Sequence, residues 1–361
     1  LKKDDFSSIH EQIEVYLKAV ENNPQDIWSL LRLGYTYTRA EMFREAVDAY
    51  MKAIALDPSM YLAHYGLGYS YMKSKRMEEA IRSFENALHY NPNYVQALYR
   101  LGYIACEQQR YEDAVAYLHR LVNLEEKHGK GHFCLGKAYN SLGNWDAAIT
   151  ALNKALELNP NFEFAWYQLS LAYTGKKHFH KALETLQKVA EINPRLEYVY
   201  DQMGRIYLKI RRGGDAVVMH QKAVEIAPKL AHLWKNLGVA YLREKKYWEA
   251  IASLNKSLDI NKNNGTAHYY LGCSYRSLGE KELSIKHLRE TLRQLPNHQK
   301  ARMILQEMDE SGEMLQGKAA VRSGENQTEE KNQTEDENSR VSMDERLLQL
   351  KEKWRDNTPC K

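Results

Sequence analysis

Residues 61–92 read YLAHYGLGYSYMKSKRMEEAIRSFENALHYNP, and the spacing of their apolar side chains decides the fold. His64, Leu67, Gly68 and Tyr71 fall at i, i+3, i+4 and i+7, the spacing of one helical face. A polar turn, Ser74-Lys75-Arg76, follows, and then a second helical stripe of Ala80, Ile81, Phe84, Ala87 and Leu88. Asn91-Pro92 ends that stripe, because proline lacks the N–H that would continue a helix and restricts the residue before it. The stretch predicts a helical hairpin closed by a proline break.

The same hairpin recurs on both sides. Glycines stand at Gly34, Gly68, Gly102, Gly136, Gly204, Gly238 and Gly272, and Ser170 fills the skipped place, so each step is 34 residues. Seven of the eight prolines keep that period in another phase: Pro24, Pro58, Pro92, Pro160, Pro194, Pro228 and Pro296. Glu126 and Lys262 occupy the two gaps. Self-similarity of this kind overrides the two or three compact domains that a length of 361 residues would otherwise suggest.

The small residues have a packing reason. Where helices cross at about 8–10 Å, one side of the contact must lack bulk. The glycines do this on the first helix, and Ala46, Ala80, Ala114, Ala148, Ala182, Ala216, Ala250 and Ser284 do it on the second. A further column of Tyr37, Tyr71, Tyr139, Tyr173, Tyr207, Tyr241 and Tyr275, broken by Ala105, fills the space beyond.

Taken over one period, the pattern is Leu30, Leu33-Gly34, Tyr37, Ala46, Tyr50, Ala53 and Pro58. It resembles the tetratricopeptide repeat (TPR) over about three quarters of the chain. That resemblance implies an all-α, right-handed superhelical solenoid of helix-turn-helix repeats whose first helices line a concave groove. It also implies a protein–protein interaction scaffold or adaptor that holds a partner segment in the groove. The third repeat departs most, with Leu121 and Glu126 at the places of a small residue and proline, and the glycines at 129 and 131 suggest a flexible joint there. Lys235 and Asn236 are isolated fragments of the family's chaperone-tail clamp, and an asparagine ladder is missing, so binding of chaperone tails is disfavoured.

The expected organisation follows from these boundaries. Residues 1–26 are a polar leader and the second helix of a truncated repeat, which implies further repeats upstream of Leu1. Eight repeats occupy 27–296, and a capping helix with Ala301, Ile304, Leu305 and Met308 on one face occupies 297–310. The polar, acidic stretch 311–342 is expected to be disordered, and 343–361 carries a short amphipathic helix with Leu347, Leu350 and Trp354.

Composition narrows the function. The net charge of +4 is spread along the chain and not gathered into a basic stripe, so nucleic-acid binding is not expected. No apolar run is long enough to cross a bilayer. Cys106, Cys134, Cys273 and Cys360 lie far apart and read as free thiols of a reducing compartment, hence a cytoplasmic expectation. His128 and His132 have a metal-compatible spacing but no companion ligand, so no metal or other cofactor is expected. Gly213-Gly214 lies in a turn with no strand before it and is not a phosphate loop. No nucleophile–base pair appears, and the chain reads as non-enzymatic.

Residues about 100–130° round from the Leu–Gly–Tyr face should line the inner surface. One column is Leu31, Tyr65, Tyr99, Phe133, Tyr167, Asp201, Lys235 and Tyr269; the other is Tyr35, Tyr69, Tyr103, Lys137, Leu171, Arg205, Val239 and Cys273. Arg39, Lys73 and Lys130 add positive charge at the edges. The candidate site is therefore Tyr35, Arg39, Tyr65, Tyr69, Lys73, Tyr99, Tyr103, Lys130, Phe133, Lys137, Tyr167, Arg205 and Lys235. Tyrosine offers large contact area with few rotors, and adjacent cations favour a partner with aromatic or apolar anchors and acidic residues. Two rival readings stand beside this one: a recognition arm of a larger enzyme or secretion machine whose remainder lies upstream, and a groove occupied by the chain's own acidic tail.

Overall fold

The computed structural model describes residues 3–308. The stretches expected as linker (311–342) and terminal helix (343–361) lie outside the described residues, as do the last two positions of the expected 297–310 cap. Among the described residues there are 18 α-helices and no strand. No described helix is long and apolar enough to cross a membrane.

The chain forms two compact units, Leu1–Thr185 and Leu186–Lys361. The first contains α1 (Lys3–Asn22), then four hairpins. These are α2 (Ile27–Arg39) with α3 (Phe43–Leu56), α4 (Tyr61–Lys73) with α5 (Met77–Tyr90), α6 (Val95–Glu107) with α7 (Tyr111–Leu124), and α8 (Gly129–Ser141) with α9 (Trp145–Leu158). It continues with α10 (Glu163–Gly175) and the start of α11 (Phe179–Ile192). After the end of α11, the second unit pairs α12 (Glu197–Lys209) with α13 (Gly213–Ile226), α14 (Ala231–Arg243) with α15 (Tyr247–Ile260), and α16 (Gly265–Leu278) with α17 (Lys281–Gln294). Its last described helix is α18 (Gln299–Met308), which packs on α17 through the buried Ala301.

Each hairpin turns in the same way. The residue at the tip adopts a left-handed conformation: Glu41, Lys75, Gln109, Lys177, Arg211 and Lys245 have φ of 60–63°, while Gly143 and Gly279 serve the other two turns. The next N–H then reaches back six positions less one, as in Arg76 N to Tyr71 O and Arg110 N to Ala105 O, both 2.9 Å. This Schellman-type bond satisfies a carbonyl that the helix end would otherwise orphan.

The glycine column packs against the large residue of its own second helix. A Cβ at Gly102 would stand 2.5 Å from Leu118 Cγ, closer than atoms can approach. In four repeats a nitrogen-bearing ring in a second column ties the first helix to the break before it. His64 Nε2 lies 2.9 Å from Pro58 O and His132 Nε2 2.8 Å from Glu126 O, while Trp166 and Trp234 donate to Pro160 O and Pro228 O at 2.8 Å. A carbonyl only accepts, so both histidines carry their proton on Nε2.

The third repeat corrects the expectation of a flexible joint. Leu121 is fully buried where the other repeats have a smaller residue, alanine in four of them, and a Cβ on Gly131 would collide with its Cδ2. Volume added at 121 is removed at 131, and the junction is close-packed. Gly131→Ala alone is expected to cost about 1–3 kcal/mol through overpacking. Urea unfolding should show most of that loss recovered in the Leu121→Ala, Gly131→Ala double variant.

Gly213 and Gly214 are likewise not turn residues: they are the first two positions of α13, and Gly213 lies against the Glu244 carboxylate. Near the end of the second unit, His268 Nδ1 and His287 Nδ1 sit 2.9 Å apart, and Tyr275 stacks on the His287 ring at 5.5 Å. One nitrogen must donate and the other accept, so the pair cannot be doubly protonated. Burial lowers both imidazoles, and with His268 and Lys286 nearby His287 falls to about 4. Because the folded value is depressed, this repeat's stability is fully present above about 6.5 and declines as pH falls through about 4. Amide protection factors in α16 and α17 should fall over that window, while a His268→Phe, His287→Leu variant should show a flatter profile.

Candidate interaction face

The first helices of successive repeats touch one another directly, α2 with α4, α6 with α8, and α8 with α10. Their outward residues form a strip in the first unit, and Arg100 of α6, lying over the Tyr69 ring, spans from α6 to α4. The column that begins at Tyr35 is the more open of the two. Tyr35 is 56% exposed, and Tyr69, Tyr103 and Lys137 are half-buried. The column that begins at Leu31 is deeper. Leu31 is buried, Tyr65, Tyr99 and Phe133 are half-buried, and Tyr167 is only 1% exposed. Tyr167 is thus a core residue, and its expected contact with a partner is withdrawn; its place on the helix turns inward because the α10 neighbours leave it fully covered.

The aromatic residues form three groups of ring contacts along the strip. Tyr65 and Tyr69 rings are 6.5 Å apart, and Tyr99 and Tyr103 rings 6.3 Å, each one helical turn apart. Tyr65 meets Tyr94 edge-on at 5.2 Å, and Tyr99 packs on His128 at 5.1 Å. Phe133 packs on Phe162 at 4.7 Å. Burial raises the Tyr99 phenol well above its usual value, so it stays a neutral hydroxyl at any physiological pH.

Cations enter this strip unequally. Lys73 is exposed, with Nζ 5.9 Å from the Tyr69 ring centre. Lys137 is tied to Glu107 at 3.3 Å, so part of its charge is already answered. Arg39 is exposed and Lys130 half-buried. The structure adds a residue that the column analysis missed. Arg100 lies between the tyrosines, its guanidinium carbon 4.9 Å from the Tyr69 ring centre and 5.8 Å from that of Tyr99. Burial works against its charge, but Tyr65, Tyr69 and Tyr99 outweigh it and hold the guanidinium above its ordinary value. Arg100 sits one residue beyond the Tyr99 column, and only the reach of its side chain brings it to the face.

The second unit's positions behave differently. Arg205 and Lys235 are half-buried, and Asp201 is 8% exposed. Asp201 accepts from Asn236 Nδ2 at 2.8 Å and lies 3.1 Å from His220 Nδ1, whose ring is fully buried. Burial pushes the Asp201 carboxyl up, yet the His220 contact, the Asn236 amide and Arg205 prevail and bring it to about 2. This is a buried polar cluster inside the repeat. His128 and His132 are also occupied: Gly131 N donates to His128 Nδ1 at 2.8 Å, and His132 bonds Glu126 O. Among the described residues no group of three or more His, Cys, Asp or Glu is arranged to hold a metal ion.

Family models described as tetratricopeptide repeat match residues 31–84, 71–130, 165–196, 231–264 and 266–298, and one described as TPR repeat matches 136–177. The chain belongs to the tetratricopeptide-repeat family. Solved TPR structures resemble it. YrrB, described as a TPR protein with an unusual peptide-binding site, is 29% identical over 50% of this chain and 94% of its own, with a TM-score of 0.48. The APC/C hetero-tetramer Cut9–Hcn1 is 20% identical over 82% of this chain, which spans 58% of that one, with a TM-score of 0.50. A TPR protein from Parabacteroides merdae is 18% identical over 69% of this chain and 99% of its own, also with a TM-score of 0.50. The last two likenesses show the TPR fold. No curated protein sequence matches the chain. TPR proteins are generally non-enzymatic scaffolds that bind proteins or peptides.

Proposed function

We propose that this TPR array is an interaction scaffold whose first unit holds an extended segment of a partner polypeptide along its first helices. Tyr35, Arg39, Tyr65, Tyr69, Lys73, Tyr99, Tyr103, Lys130, Phe133 and Lys137 supply the contacts. The binding module is residues 27–296, with α1 packed on α2 and α18 on α17. Arg205 and Lys235 belong to the second unit and are assigned a lesser part on a face of its own.

The observation that carries this reading is the two tyrosine pairs, Tyr65 with Tyr69 and Tyr99 with Tyr103, bridged by Arg100, part-exposed and edged by cations. Rigid aromatic residues with a hydroxyl give contact area at small entropic cost, and they dominate binding energy where they cluster. The partner segment accordingly carries apolar or aromatic anchors together with acidic residues.

Selection of peptides from a random twelve-residue library tests the proposal. The Tyr69→Ala, Tyr103→Ala variant, confirmed folded by thermal melting, should bind selected peptides roughly 10-fold or more weakly, as expected for loss of central aromatic anchors. Undiminished affinity in that variant would move the binding face elsewhere.

A further inference from the structure

Arg100 differs from the arginines that form ion pairs among the described residues. Arg76, Arg110, Arg212 and Arg293 each pair with a carboxylate three residues on or back, and Arg276 pairs with Glu307 at 2.8 Å. Those side chains are well exposed, and water alone would serve them. Arg100 is half-buried, yet among the described residues no carboxylate lies within ion-pair distance of it. Its guanidinium lies over the rings of Tyr69 and Tyr99, and Tyr65 is near enough to favour its charge. A charge withdrawn from water is ordinarily answered by an opposite charge.

We infer that Arg100, caged by Tyr65, Tyr69 and Tyr99, is the specificity site for one carboxylate side chain of the bound partner segment. This rests on the reading of the tyrosine strip as the binding face, and it names what that face selects. Three features favour a carboxylate. A guanidinium is a planar fork that matches two coplanar oxygens, and that of Arg100 is placed over the Tyr69 ring. The aromatic walls thin the water around the pair, which strengthens the attraction. The cage holds a single cation, which balances a monoanion; phosphate-reading sites gather several. Lys73 stands on the outer side of Tyr69 and is exposed.

The probes are dodecapeptide pools of Tyr, Phe, Leu, Ser and Asn with one central position fixed as Glu, Gln or phosphotyrosine. Affinities are read by fluorescence anisotropy on the full chain. The Glu pool should bind wild type roughly 10-fold more tightly than the Gln pool, as a charge-assisted bidentate contact allows. On Arg100→Gln the two pools should bind within about two-fold of each other, and Arg100→Lys should keep only part of the preference. A mere packing role for Arg100 would weaken both pools alike and leave their ratio unchanged. The Lys variant keeps the charge and much of the stem, so the ratio is readable even if the Gln variant folds poorly.

Equal binding of Glu and Gln pools by wild type, or a preference that survives in Arg100→Gln, overturns the assignment while leaving the scaffold reading intact. An Arg100-dependent preference for phosphotyrosine over Glu overturns the carboxylate assignment too. Failure of every pool to bind overturns the scaffold reading and this inference with it.

Discussion

His220→Leu is expected to destabilise the second unit by about 3–5 kcal/mol, although leucine is what the repeat pattern asks for at that place. The column is Tyr50, Phe84, Leu118, Leu152, Leu186, His220, Leu254 and Leu288, so a consensus argument would predict a gain. The geometry reverses that sign. His220 is fully buried, with its ring against Gly204 and Nδ1 3.1 Å from Asp201, itself 8% exposed. Leucine would leave a buried carboxylate with the Asn236 amide and Arg205 to answer it. Removing one partner of a buried pair costs more than the pair itself contributes. The Asp201→Leu, His220→Leu double variant should therefore recover most of the loss in urea unfolding, since it removes the orphan. The pH dependence has a definite sign as well. The folded Asp201 carboxyl is depressed from 3.8 to about 2, so its contribution is present above about 4 and disappears as pH falls through about 2. A His220→Leu chain as stable as wild type would mean that the cluster contributes nothing.

Glycine placed at Glu41, Lys75, Gln109, Lys177, Arg211 and Lys245 together is expected to raise stability by about 3 kcal/mol. All six hold φ of 60–63°, where a Cβ crowds the following carbonyl at a cost of roughly 1–2 kcal/mol. Against this stands the greater freedom of glycine in the unfolded chain, roughly 0.5–1 kcal/mol per site. The difference is small at one turn and accumulates over six. Gly143 and Gly279 already occupy the equivalent turns, so the geometry accepts glycine without rearrangement. Thermal and urea unfolding of the six-fold variant measure the sum. No change would show that local hydrogen bonds already offset the crowding at these turns.

The repeat was legible because it rests on two period signals in separate phases, glycine and proline, each with a direct steric cause. What remained hidden depended on pairs distant in sequence. The exchange of volume between Leu121 and Gly131 looks like two unrelated departures until the residues are seen to touch. His220 and Asp201 each look like an odd member of an apolar or aromatic column, and only their meeting explains either. The candidate face was partly legible for the same reason that helices are: angle round the axis places Tyr35, Tyr69 and Tyr103 outward. Angle alone does not give depth, so Tyr167 was placed at the surface with Tyr65 and Tyr99 although its neighbours bury it. Nor does angle give reach, so Arg100 was passed over in favour of lysines, one of which already serves Glu107.

The most direct test is hydrogen–deuterium exchange of the full chain with and without a selected peptide bound. The proposed scaffold predicts slowed exchange concentrated in α4, α6 and α8, around Tyr65 to Lys137, and no such slowing in the Tyr69→Ala, Tyr103→Ala variant. Protection confined to the second helices or to the second unit, with the variant protected as wild type is, would contradict it.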